Sequence, residues 1–122
     1  MLHIDDEESL VLLTVRILKR LGYQVSSFTD PIQALAAFSE LPASFDAVVT
    51  DVTMRRMTGF ELVRAIWAVR ADVPVVVTSG DFRPEDIRTA EAMRIRDLVV
   101  KPDTVEELGR VLHELFSRPP PS

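Results

Sequence analysis

Asp46-Ala47-Val48-Val49-Thr50-Asp51 and Pro74-Val75-Val76-Val77-Thr78-Ser79 decide the fold. Each is a short apolar run, rich in β-branched residues, without the polar alternation of a half-exposed strand. Each therefore reads as a strand buried on both faces, over 46–50 and 74–78. Such strands belong to parallel sheets covered by helices on both sides. Between them, 59–70 has helical spacing, so the unit is strand, helix, strand.

The same alternation covers the rest of the chain. Met1 to Ile4 is a very short strand, followed by a helix over 7–21 with Leu10, Leu13, Ile17 and Leu21 on one stripe. Gly22 suits its end, where positive φ is common. Gln24 to Phe28 is a second strand. Asp30-Pro31 opens a helix reaching Glu40, with Asp as N-cap and Pro in the first turn. Pro84 to Met93 is a weaker helix whose apolar contacts are Ile87 and Ala90. Asp97 to Val100 is a fifth strand. Val105 to Phe116 is a final helix with Val105, Leu108, Leu112 and Leu115 facing inward. The domain is expected to span 1–117, with a Pro-rich tail over 118–122. This is an α/β chain of the (βα)5 kind.

Composition sets bounds. A length of 122 residues suits one domain, and 47% hydrophobic residues can bury a core. No apolar run approaches the ~18 residues of a membrane span, and the first residues lack a signal-peptide layout. With no Cys and two His, disulfide, thiolate and zinc chemistry are not expected. A cytoplasmic location and no membrane partner follow as expectations. The net charge of −5 argues against direct nucleic-acid binding.

Ligands of open parallel sheets bind beyond the carboxyl ends of the strands. Asp5 and Asp6 follow the first strand, Asp51 ends the third, Thr78 and Ser79 end the fourth, and Lys101 ends the fifth. Three carboxylates brought together repel, and a hard divalent cation such as Mg²⁺ offsets that. With Lys101 as a second positive charge, the cluster is suited to a phosphoryl group. Asp51 is then the nucleophile and Thr78 a donor to the phosphoryl oxygens. Singly, each residue has a plainer role: a helix cap, a turn, a strand end, a solvated charge. Their coincidence at four strand ends is what favours the functional reading.

The set Asp5-Asp6-Glu7, Asp51-x-x-Met54-x-x-Met57-x-Gly59, Thr78-Ser79-Gly80 and Lys101-Pro102 resembles the receiver domain of two-component response regulators, over about Met1 to Phe116. The run from Thr50 to Gly59 looks closest to receivers attached to hybrid sensor histidine kinases. The resemblance implies a flavodoxin-like three-layer sandwich with strand order 2-1-3-4-5. It implies a phospho-acceptor role for Asp51, with phosphate arriving from a histidine kinase or phosphotransfer protein. Asp6 would bind Mg²⁺ directly, Asp5 mainly through water, and Thr53 through its backbone carbonyl. Lys101 would contact the phosphoryl group, Thr78 would move toward it, and Lys101-Pro102 would be a cis peptide. A homodimer is a further possibility for such a domain.

The chain departs from the family's usual pattern at Arg55, where Pro is common, and at Leu98, where an aromatic residue is common. Arg94 and Asp103 replace a Gly and a hydrophobic residue. Arg55-Arg56 puts two cations into the loop after Asp51. A short first strand between two others leaves backbone groups needing partners, so low stability or help from another chain is expected. Other functions fit the residues less well. A haloacid-dehalogenase-like phosphohydrolase wants Asp-x-Asp, whereas Asp51-Val52-Thr53 stands here. A degenerate receiver acting only as an interaction module is the alternative left open by Arg55 and Leu98. A nucleotide or flavin site lacks its Gly-rich loop. His113 reads as a solvated helix residue, His3 as a packed strand residue, Trp67 as partly buried, and Met54 and Met57 as packing.

Overall fold

A computed structural model describes residues 1–95, 97–101 and 105–117; for 105, 106, 108, 115 and 116 it describes the backbone alone. The elements run β1 Leu2–Ile4, α1 Glu8–Arg20, β2 Ser26–Phe28, α2 Pro31–Glu40, a 3-10 turn Pro42–Ser44, β3 Val48–Asp51, α3 Gly59–Val69, β4 Val75–Ser79, α4 Pro84–Met93, β5 Asp97–Val100 and α5 Val105–Ser117. The strands form one parallel sheet of order β2-β1-β3-β4-β5. The flavodoxin-like (βα)5 expectation holds, with strands trimmed or shifted by one or two residues. Pro102, Asp103 and the tail over 118–122 lie outside the described residues.

The two-residue period of the strands sorts the core into two layers. Leu2, Ile4, Val48, Val75 and Val77 pack with Ala34 and Phe38 of α2 and Leu62, Val63 and Ile66 of α3. Met1, Val49, Val76 and Val99 point to the other face, where Leu18 of α1 and Leu112 of α5 cover them. Of the inward stripe expected for α5, Leu112 alone has a described side chain, and it is fully buried.

The short interior strand satisfies its neighbours beyond its own three residues. Ser26 N–H donates to the Met1 carbonyl at 2.9 Å, Leu2 N–H to Ala47 at 2.9 Å, and Asp5 N–H to Phe28 at 3.2 Å. The Met1 ammonium reaches the Gln24 carbonyl at 3.0 Å and Asp46 Oδ1 at 3.4 Å. The local signals for α2 hold: Asp30 Oδ1 accepts the Ile32 N–H at 2.9 Å, with Pro31 in the first turn. Thr58 and Glu61 form a capping box on α3, their two bonds both 3.1 Å.

The helix faces read from periodicity need two corrections. In α1 the buried residues are Val11, Thr14 and Leu18, whereas Leu13 and Leu21 are 46% and 42% exposed. The true stripe is rotated by one position, and a threonine at its centre conceals it from hydropathy. In α4, Ala90 is buried but Ile87 is 42% exposed; Met93 supplies the further packing. His113 is also less solvated than expected: its Nδ1 meets the Tyr23 hydroxyl at 3.0 Å, with the rings edge to face. Trp67 is partly buried and donates from Nε1 to the Val73 carbonyl at 3.0 Å. Met54 and Met57 pack on the core as expected.

Among the described residues, the buried Thr14 hydroxyl meets no hydrogen-bond partner, a desolvation cost without return. Thr14→Val keeps the shape and removes the polar atom. It is expected to stabilise the domain by about 1 kcal/mol, read as a higher urea midpoint at unchanged slope. A fall in the midpoint would show that the hydroxyl is satisfied in solution.

Candidate functional site

The strand period that builds the core also aims the site. Asp51 follows Val49 by two residues, Thr78 follows Val76, and Lys101 follows Val99, so all continue the α1/α5 face past the apolar layer. His3 and Asp5 continue that face after Met1. Asp51 and Thr78 are register partners, and the Lys101 N–H donates to the Ser79 carbonyl at 2.8 Å. Adjacent carboxyl ends of β1, β3, β4 and β5 are thereby drawn to one point.

There, Lys101 Nζ lies 2.7 Å from Asp5 Oδ2 and 3.3 Å from Asp51 Oδ1. Oxygens of Asp5, Asp6 and Asp51 all lie within 4.8 Å of one another. Asp5 is also held by the Glu7 N–H, which donates to its Oδ1 at 3.0 Å. Asp6 is held from the opposite side of the cleft by the Arg55 N–H, at 3.2 Å from its Oδ2. Asp5 and Asp51 are 2% and 8% exposed, so their repulsion is little screened.

The electrostatics follow from that crowding. Burial pushes the Asp51 carboxyl up to about 6; the Lys101 charge pulls against this and Asp5 adds to it. Burial works against the Lys101 ammonium, but the bond and charge of Asp5 and the charge of Asp51 outweigh it and hold the group above its ordinary value. His3, buried in the layer below, is pushed down to about 4, chiefly by burial. A carboxylate still short of positive charge beside a lysine is a place where a cation fits. The donor set is all oxygen and suits Mg²⁺.

The remaining expected residues surround this cluster. Thr78 is buried and its hydroxyl donates to the Thr50 carbonyl at 3.4 Å. Ser79 turns to the next loop, donating to the Asp81 carbonyl at 2.9 Å. Thr53 is exposed and lines an open cleft with Val52, Met54, Thr58, Ser79, Gly80, Asp81, Arg83 and Asp86. Leu98 is half-buried against the α3/α4-side core. Arg55 sits over Asp6. The sequence marks Asp30 as the N-cap of α2 but does not announce its pairing with Arg56 of this loop, at 3.2 Å.

The loop after Asp51 closes through backbone. Val52 N–H donates to the Thr78 carbonyl at 3.0 Å, and Gly59 N–H to the Val52 carbonyl at 2.8 Å. Arg56 adopts a left-handed φ of 74°, which non-glycine residues seldom take.

Comparison with known proteins agrees with this geometry. The response regulator receiver domain model matches residues 1–113. The two-component response regulator ARR14 of Arabidopsis thaliana is 31% identical over 115 residues, covering 94% of this chain and 30% of that protein. The sensory/regulatory protein RpfC of Xanthomonas campestris is 32% identical over 119 residues, covering 94% of this chain and 16% of that protein. The chain thus spans less than a third of the length of either relative. The solved chemotaxis protein CheY4 of Vibrio cholerae superposes with a TM-score of 0.80 at 30% identity, over 93% of this chain and 94% of that one. A sheet of order 2-1-3-4-5, an acidic triad and a lysine at its carboxyl edge, and a family match over nearly the whole length have one reading: the chain belongs to the receiver domains of two-component response regulators.

Proposed function

We propose that Asp51 is the phospho-acceptor of this receiver and that the domain works as a switch set by a histidine kinase or phosphotransfer protein. The observation that carries the reading is Lys101 between Asp5 and Asp51, at 2.7 and 3.3 Å, beside a third carboxylate. A carboxylate oxygen of Asp51 attacks phosphorus of a phosphohistidine. The P–N bond breaks, the electron pair leaves with the imidazole nitrogen, and an aspartyl phosphate forms. Asp5, Asp6 and Asp51, with the Thr53 carbonyl, would hold Mg²⁺, which supplies positive charge opposite the phosphoryl oxygens. Lys101 orients Asp51 beforehand and then pairs with a phosphoryl oxygen. Thr78 exchanges the long 3.4 Å bond to Thr50 for a charge-assisted one. Leu98, smaller than an aromatic ring, follows Thr78 with less movement. The domain is a signalling module that promotes its own phosphorylation and dephosphorylation. It acts in the cytoplasm through protein partners, with no nucleic acid or membrane as direct partner.

The test is intact mass after incubation with acetyl phosphate and Mg²⁺, with a Mg²⁺-free control and peptide mapping. One phosphoryl adduct, confined to the peptide holding Asp51 and absent without Mg²⁺, is the expected result. No adduct on folded protein, from acetyl phosphate or from a phosphotransfer protein, would leave an interaction module instead. Lys101→Met is expected to slow adduct formation by about a hundredfold, with circular dichroism showing the fold intact; an unchanged rate would remove Lys101 from the chemistry.

A further inference from the structure

Of the three clustered carboxylates, Asp5 and Asp51 share Lys101. Asp6 is answered by a different cation. The Arg55 N–H donates to Asp6 Oδ2 at 3.2 Å, and the Arg55 Nε lies 3.8 Å from the same oxygen. The Asp6 side chain is 27% exposed, so it stays reachable from solvent, whereas the Arg55 side chain is 87% exposed and free to swing away. Arg56, one residue on, is turned by its left-handed backbone to Asp30, whose Oδ2 it meets at 3.2 Å. Two adjacent arginines of equal charge thus serve different acids, and one alone serves the triad.

We propose that Arg55 is a built-in competitor for the cation site. In the resting domain it holds Asp6, and a divalent cation takes Asp6 only as Arg55 lets go. The inference rests on the receiver reading above and concerns how that site is tuned. Arg55 offers one charge, at the end of a flexible chain and in water, so it weakens Mg²⁺ binding without preventing it. Since the metal-dependent step needs Asp6, Arg55 raises the Mg²⁺ concentration at which the domain becomes competent. By linkage, bound Mg²⁺ must weaken the hold on Arg55 by the same factor.

The experiment is calorimetric titration of Mg²⁺ into wild type, Arg55→Ala, Arg55→Lys and Arg56→Ala, all checked for folding by circular dichroism. Arg55→Ala is expected to tighten the Mg²⁺ Kd by about two- to fivefold, the range of an exposed ion pair. Arg55→Lys and Arg56→Ala are expected to stay near wild type. In wild type, Mg²⁺ should also speed hydrogen exchange at the Arg55 amide. An unchanged Kd in Arg55→Ala, or an equal gain in Arg56→Ala, would overturn the competitor and leave the receiver reading standing. Folded wild type that takes up no Mg²⁺ would sink the phospho-acceptor reading itself, and the competitor with it.

Discussion

Asp51→Asn is expected to accept no phosphoryl group and, without metal, to be more stable than the wild type at pH 7 by about 2 kcal/mol. The two effects have one cause. The Asp51 carboxylate, proposed as the nucleophile, is kept charged at pH 7 in a buried cluster, with Asp5 beside it and Lys101 offsetting part of the cost. The native state raises its pKa from 3.8 to about 6. Between those values the folded protein binds more protons than the unfolded one, so this group's contribution is complete below 3.8 and is lost as pH rises through 6. The gain of Asp51→Asn over wild type should therefore be near zero at pH 4, grow toward pH 6 and then level off. His3 acts with the opposite sign: its folded pKa of about 4 lies below 6.5, so its contribution grows as pH rises through that window. In wild type the two slopes oppose each other, and removing Asp51 leaves that of His3 exposed. Urea unfolding of both proteins across this pH range checks the claim. A pH-independent difference between them would mean that Asp51 carries no ionisation strain. Mg²⁺ should stabilise wild type and do much less for Asp51→Asn, because the variant lacks a full ligand charge.

The fold was legible because its signals are local and redundant. Val48-Val49 and Val75-Val76-Val77 are unambiguous as buried strands, and Asp30-Pro31 fixes a helix start by its own chemistry. The convergence of Asp5, Asp51, Thr78 and Lys101 was also legible, since parallel strands share one carboxyl edge and a two-residue period decides which face each end presents. What escaped was set by tertiary contact. Thr14 lies on the buried stripe of α1 because of what that helix packs against, and no hydropathy pattern marks a threonine as core. Ile87 looks like an anchor, but Ala90 and Met93 do the packing of α4 against the core. The pairing of Arg55 with Asp6 and of Arg56 with Asp30 depends on loop conformation, including one left-handed residue, that the sequence does not announce. Arg55 was visible as an oddity; its partner was not.

Gly59→Ala is expected to destabilise the domain by about 3 kcal/mol, although alanine is the better helix former by about 1 kcal/mol. Gly59 opens α3 and its backbone is not in the left-handed region, where Gly22 alone is found among the described glycines. The requirement is therefore for space. A Cβ there would run into the Asp51 carbonyl oxygen, and would sit 3.0 Å from the Asp51 carbonyl carbon and 3.1 Å from Val52 Cα. These are backbone atoms of β3 and of the turn that closes through Gly59 N–H and the Val52 carbonyl, so no rotamer change relieves the clash. Either α3 moves off the sheet, opening the layer around Phe60, Leu62 and Val63, or Asp51 is displaced from Lys101. Gly109→Ala provides the contrast. There the new Cβ meets Cγ2 of Ile17, a side-chain atom on a half-buried residue of α1, so relief calls for a shift of one side chain or of α5 against α1 and leaves the backbone at the site alone. Ile17 is stiff at χ1, so the cost should be about 1–2 kcal/mol, partly offset by helix propensity and still below that of Gly59→Ala. Urea midpoints at constant slope would rank the two variants. A surviving folded fraction of Gly59→Ala should also accept phosphate more slowly, because the clash bears on the residue that carries the nucleophile. Equal midpoints for the two alanine variants would show that the turn after Asp51 yields as easily as one half-buried side chain, and the tight approach of α3 to Asp51 would then have to be abandoned as a constraint on this site.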